Sequence, residues 1–109
     1  MSTNHPELAA GRWHALSLFN QLGNVGSELS RAIRWKEKDP PLFDGAMTRA
    51  LELLDLTIAD PRWHGRLKEL VRAREFLCDA WLGGPEYGSK LEDLNRYFFE
   101  FAMAARLKT

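Results

Sequence analysis

The sequence has little cysteine, no long apolar run and no excess of either charge. Cys78 is the only cysteine among 109 residues, so the chain lacks the disulfide pairs of small secreted domains, and a reducing compartment is indicated. No run of about 18 apolar residues could span a membrane, and no signal peptide opens the chain. We therefore expect a cytoplasmic protein without membrane contact, in which Cys78 packs as a small buried hydrophobe.

Charge is balanced along the chain. Fifteen lysine and arginine residues are matched by fifteen aspartate and glutamate residues. A dedicated non-specific nucleic-acid binder normally has a basic excess that displaces counterions. Any nucleic-acid binding by this chain therefore has to come from a local basic patch.

The residue patterns of common catalytic and metal sites are missing. Neither His14 nor His64 has the glutamate three residues earlier that a di-iron helical bundle uses. One cysteine and three histidines at these spacings supply no set of zinc ligands. Gly83-Gly84 is followed by proline and glutamate, whereas a phosphate-binding loop continues with lysine and serine or threonine. We expect no metal, no cofactor, no catalytic residues and no enzymatic activity.

Proline and glycine divide the chain into four segments whose apolar residues have helical spacing. Breaks are predicted at Asp39-Pro40-Pro41 and at Asp60-Pro61, where the aspartate can cap the helix that follows. A third break is predicted at Gly83-Gly84-Pro85, since glycine and proline end helices. Ser89 and Glu92 match a capping box at the start of the last segment. The predicted helices span residues 6–38, 41–59, 61–82 and 90–107.

Short connections predict that neighbouring helices run antiparallel. We expect an all-α chain: a single domain over residues 1–109, folded as an up-down-up-down four-helix bundle with a long first helix. Gly23 and Gly26 lie inside that helix, where each costs about 1 kcal/mol relative to alanine. They predict either a kink or a close crossing with another helix.

The predicted helix lengths do not match. At about 1.5 Å per residue, the first helix would reach about 50 Å and the second and fourth about 27 Å. Either the first helix breaks near Gly23 to Gly26, or one end projects and needs a partner. Apolar residues off the inward-facing stripes also favour a homo-oligomer; these are Leu53, Leu56, Phe99 and Met103.

The triplet Arg-Trp-His occurs twice, fifty residues apart, at the start of the first and third predicted helices. Alternate helices of an up-down-up-down bundle are parallel, so both triplets would lie at one end. Arginine beside tryptophan is suited to anions, nucleobases or a partner's peptide. The alternative is that each tryptophan is a core-edge residue with solvated neighbours. The candidate binding surface comprises Arg12, Trp13, His14, Arg62, Trp63, His64, Arg66 and Arg106.

Four strings carry a resemblance to a known family: LFNQLGNVGSELSRAIRWKEK, ALELLDLTIAD, RLKELVRAREFL and RYFFEFAMAARL. From about Leu16 to Leu107, the chain resembles a family of short, uncharacterised bacterial four-helix-bundle proteins. The resemblance implies an all-helical fold. It implies no activity and no functional residue, because none is established for the family.

Two functional hypotheses follow from these patterns. The first is a non-catalytic, oligomeric helical-bundle protein that acts as an adaptor or assembly subunit for a protein partner. The alternative is an accessory protein that binds RNA or DNA through the basic-aromatic end and the third helix.

Overall fold

The described part of the chain folds into helices. The computed structural model describes residues 11–82 and 88–107, and it describes the side chains of the second segment from Leu91 onward. Within these ranges every regular element is a helix, as predicted. The elements are α1 (Leu18–Trp35), α2 (Pro40–Ile58), a 3-10 helix (Pro61–Arg66), α3 (Leu67–Leu82) and α4 (Gly88–Leu107).

The long first helix predicted over residues 6–38 is wrong. Residues 11–13 are helical, residues 14–17 form a turn, and α1 begins at Leu18. The hydroxyl of Ser17 accepts from the Asn20 backbone amide at 3.1 Å, which satisfies one of the free amides at the new helix start. The predicted start at Pro6 lies outside the described residues.

No break occurs near Gly23 to Gly26, because α1 is continuous through both glycines. Its 18 residues correspond to about 27 Å. The length of α1 therefore matches that of the other helices, and the mismatch that favoured a projecting end is gone.

Both predicted aspartate caps are confirmed. A side-chain oxygen of Asp39 accepts from the Leu42 amide at 3.1 Å, and one of Asp60 accepts from the Arg62 amide at 3.0 Å. The second predicted helix differs from α2 by one residue at each end. The third predicted helix begins as the 3-10 helix, because the backbone of Trp63 departs from α-helical geometry, with φ −103° and ψ 21°.

The last predicted break and the capping box fall where little is described. Gly83-Gly84-Pro85 and the side chain of Ser89 lie outside the described residues. The helix α4 begins at Gly88, two residues before the predicted start, and it ends at Leu107 as predicted.

The core lies between α1 and its two neighbours, α2 and α4, with α3 closing the opposite side against α2 and α4. The inward stripes predicted from helical spacing supply most of its fully buried side chains, which include Leu22, Val25, Leu29, Leu54 and Phe98. Cys78 is half-buried, so it is less enclosed than predicted.

Side-chain contacts fix the relative direction of α1 and α4. Near one end of the pair, the Arg106 guanidinium lies 5.3 Å from the centre of the Phe19 ring. Near the other end, the Asn95 side-chain amide donates to the Ser30 hydroxyl at 3.1 Å. Residue numbers rise along one helix as they fall along the other, so α1 and α4 are antiparallel.

None of the helices described here has both the length and the apolar character that crossing a membrane requires.

The radius of gyration of the Cα atoms is 13.5 Å, close to the roughly 13 Å of a compact domain of about 100 residues. The chain is therefore compact and all-helical.

Replacing the α2 cap should lower stability. We expect Asp39→Ala to cost about 1 kcal/mol in the free energy of unfolding, because the Leu42 amide loses its acceptor. Glu37→Ala is the matched control, since it removes the same charge from an exposed residue two positions away. Urea unfolding followed by circular dichroism measures both variants, and equal midpoints for the two would contradict the capping role.

Candidate functional site

A buried glutamine joins the two Arg-Trp-His segments. The side chain of Gln21 is fully buried, and its amide nitrogen donates to the Trp13 carbonyl at 2.8 Å and to an Asp60 carboxylate oxygen at 3.2 Å. Its amide oxygen accepts from the Trp63 indole at 2.8 Å. The two triplets therefore lie near each other at one end of the molecule.

Trp13 belongs to the interior. Its side chain is 6% exposed, and its indole nitrogen donates to the Thr57 hydroxyl at 2.9 Å. Thr57 in turn donates to the Leu53 carbonyl at 3.0 Å. This environment matches the core-edge alternative and leaves little of the indole available for stacking against a ligand.

Arg62 is held by contacts within the chain. Its guanidinium donates to the Asp60 carboxylate at 2.7 Å and to the Leu16 carbonyl at 2.7 Å. It also lies 4.4 Å from the centre of the Trp63 ring, in cation–π geometry. The cation predicted to meet a ligand thus links the turn before α1 to the 3-10 helix.

The carboxyl group of Asp60 is strongly perturbed. Hydrogen bonds from the Arg62 side chain lower its pKa from 3.8 to about 2, although burial acts in the opposite direction. The carboxylate is only 3% exposed, and the bond donated by Gln21 also favours its charged form. The Asp60 carboxyl group is therefore ionised in the folded protein at neutral pH.

The remaining residues of the candidate surface are spread over several environments. Arg66 pairs with Glu69 at 3.0 Å and lies 5.3 Å from the centre of the Phe101 ring. Arg106 lies beside Phe19 on the α1–α4 side. The side chains of Arg12, His14 and His64 are exposed.

Three buried polar side chains, those of Gln21, Thr57 and Asp60, connect the two tryptophans in one polar cluster. The sequence prediction missed the glutamine and the threonine. Gln21 lies next to Leu22 on the buried stripe of α1, and a polar residue at a core position is a signal of a specific hydrogen-bond network. Throughout the described part of the chain, every buried side-chain nitrogen and oxygen has a hydrogen-bond partner. The buried polar atoms of these three side chains are thus already hydrogen-bonded within the chain.

A groove of about 590 Å³ runs between α1 and α4. Its apolar lining includes Phe19, Leu22, Ala102 and Met103, and Gly23 and Gly26 contribute to the α1 side. Phe99 stands at the α4 side with 66% of its side chain exposed. Of the four residues predicted as spare apolar surface, Phe99 is thus exposed, whereas Leu53, Leu56 and Met103 are half-buried.

An aromatic cluster lies between α3 and α4. Tyr97 makes edge contacts with Phe76 and Phe98, with ring centres 5.9 Å apart in each pair. Burial raises the pKa of the Tyr97 phenol, because the charged form loses hydration.

Among the described residues, no group of three or more His, Cys, Asp or Glu side chains is arranged to hold a metal ion.

Comparisons with protein families, with curated proteins and with solved structures found no match to this chain.

The Asp60–Arg62 pair predicts a specific dependence of stability on pH. Because the folded-state pKa is lowered to about 2, the stabilisation is complete above the unfolded pKa of 3.8 and is lost as the pH falls towards 2. We expect Asp60→Asn to cost about 2 kcal/mol at neutral pH. The difference from the wild type should shrink between pH 4 and 2.

The matched control is Asp55→Asn, which removes an exposed pair with Arg74 at the same 2.7 Å separation. Its cost should be smaller, because water and side-chain entropy reduce the value of surface pairs. Urea unfolding at a series of pH values measures both variants. A difference between the wild type and Asp60→Asn that stays constant down to pH 2 would contradict the assignment.

Proposed function

We propose that this chain is a non-catalytic helical-bundle protein that forms homo-oligomers and acts as an adaptor or assembly subunit for a protein partner. In this proposal α1 to α4 form an up-down-up-down bundle. The observation that carries the proposal is the apolar groove between α1 and α4, beside which Phe99 is 66% exposed.

The antiparallel directions of α1 and α4 support the bundle arrangement. The short connections also support it, since residues 36–39 join α1 to α2 and residues 59–60 join α2 to the 3-10 helix. Each helix packs against the next along the chain, and α4 packs back against α1. Such a ring of contacts is typical of four-helix bundles.

The exposed apolar surface supports an interaction role. A single exposed apolar residue is ordinary in a folded protein. Phe99, however, continues into a groove with Phe19, Ala102 and Met103, and contiguous apolar surface is typical of protein interaction sites. Burying a phenylalanine side chain is worth about 1.5–3 kcal/mol, so covering this groove would stabilise a complex.

Static light scattering tests the proposed assembly. At micromolar concentration the wild-type chain should have a mass well above the 12.5 kDa of one chain, because covering the groove stabilises the associated state. The mass should fall towards that of one chain on dilution. A monomer across the whole concentration range would contradict the proposal.

The nucleic-acid alternative has less support from the geometry. Arg62 and Arg66, two cations of the candidate binding surface, are paired with Asp60 and Glu69. We therefore expect no gel shift with RNA or DNA even at about 50 mM salt, where phosphate contacts are strong. A shift that weakens steeply as salt is added would favour the alternative over an adaptor role.

A further inference from the structure

Four small residues form a depression on the α1 side of the groove. Gly23, Gly26, Ser27 and Ser30 have the spacing i, i+3, i+4 and i+7, and all four line the groove. This spacing surrounds one hole on a helix surface, into which a side chain of a facing helix can insert as a knob. Two glycines and two serines leave more room in this hole than larger side chains would.

The fold of a single chain does not require both glycines. A Cβ atom added at Gly23 would meet nothing within 4 Å. One added at Gly26 would be 3.7 Å from the Asn95 side-chain oxygen and 4.0 Å from the Phe98 Cβ, which are ordinary contacts. Each glycine costs the helix about 1 kcal/mol relative to alanine, and close packing within the chain does not require a glycine at position 23.

Phe99 lies across the groove from this hole. The antiparallel contacts pair Ser30 with Asn95 and Phe19 with Arg106, so Phe99 is at the height of Gly26 along the groove. An exposed phenylalanine and a depression lined by small residues therefore stand side by side at the same level of one surface, with Asn95 of the same chain at the edge next to Gly26 and Ser30. A surface of this kind is self-complementary under a two-fold rotation about an axis that runs along the groove.

We propose that a second copy of this chain occupies the α1–α4 groove, with Phe99 of each copy inserted into the hole formed by Gly23, Gly26, Ser27 and Ser30 of the other. The proposal rests on the proposed function, since it names the surface through which the chain associates. In this arrangement α4 of one copy lies over α1 of the other and runs antiparallel to it.

Charge complementarity favours a second copy as the occupant. Glu92 precedes Phe99 by seven residues on α4, and Arg34 follows the middle of the hole by seven to eight residues on α1. The two helices would run antiparallel, so Glu92 of one copy faces Arg34 of the other. Both side chains are exposed and neither has an ionic partner within the described residues. The two-fold rotation forms this pair twice.

Filling the hole tests the surface. Gly23→Gln should raise the dissociation constant of the dimer by about thirtyfold or more, the loss typical of a blocked central contact. The variant should fold well, since its Cβ lies in open space and glutamine is a better helix former than glycine. Sedimentation equilibrium measures the association, and circular dichroism checks the fold.

Gly45→Gln is the matched control. Gly45 is the sixth residue of α2, as Gly23 is of α1. A Cβ there also meets nothing within 4 Å, and the position is not part of the groove lining. Both substitutions should raise helix stability, but only Gly23→Gln should weaken association. Phe99→Ser should weaken association to a similar extent.

Exchanging the charges tests the register. Arg34→Glu alone should weaken the dimer because it sets two carboxylates against each other, and Arg34→Glu combined with Glu92→Arg should recover the wild-type affinity within about threefold. A wild-type monomer would overturn both this surface and the proposed function. A dimer unaffected by Gly23→Gln and Phe99→Ser would overturn this surface and leave the oligomeric function standing.

Discussion

The buried amide of Gln21 is the interaction on which the end of the molecule near Asp60 depends. It bonds simultaneously to the backbone at Trp13, to the Asp60 carboxylate and to the Trp63 indole. These three partners belong to the segment before α1, to the turn after α2 and to the 3-10 helix. Since a buried amide left without partners costs about 1–3 kcal/mol per group, this network specifies how the three segments meet.

The same network explains why the conspicuous Arg-Trp-His triplets form a structural junction. Both indole nitrogens donate within the chain, and Arg62 is bound to Asp60 and to the Leu16 carbonyl. The surface that remains open lies elsewhere, along α1 and α4, where small residues stand beside an exposed phenylalanine. The residue types of the triplets draw attention to the junction near Asp60, whereas exposed apolar surface identifies the groove between α1 and α4.

Local signals predicted most of the fold. The caps at Asp39 and Asp60 depend only on neighbouring residues, and the apolar stripe through Leu22 and Leu29 follows from helical periodicity. The interruption at residues 14–17 could not be predicted in this way, because the helical spacing of apolar residues continues through it. That turn is fixed by contacts distant in sequence, above all the bond from Trp13 to Thr57 across 44 residues.

The candidate site was predicted in part. The meeting of the two triplets follows from topology, but the burial of Trp13 and the role of Gln21 depend on tertiary packing. The oligomer hypothesis had two supports, of which the length mismatch is lost with the shorter α1. The exposure of Phe99 is the support that remains.

The burial of Trp13 has a spectroscopic consequence. Of the four tryptophans, Trp13 is the buried one, whereas Trp35, Trp63 and Trp81 are half-buried. The fluorescence of Trp13 therefore reports on the helical residues 11–13 and on the junction that covers them. Detachment of this turn from Thr57 would place the indole in water and shift its emission to longer wavelength while α1 to α4 remained helical. Trp13 thus separates local opening of residues 11–13 from unfolding of α1 to α4.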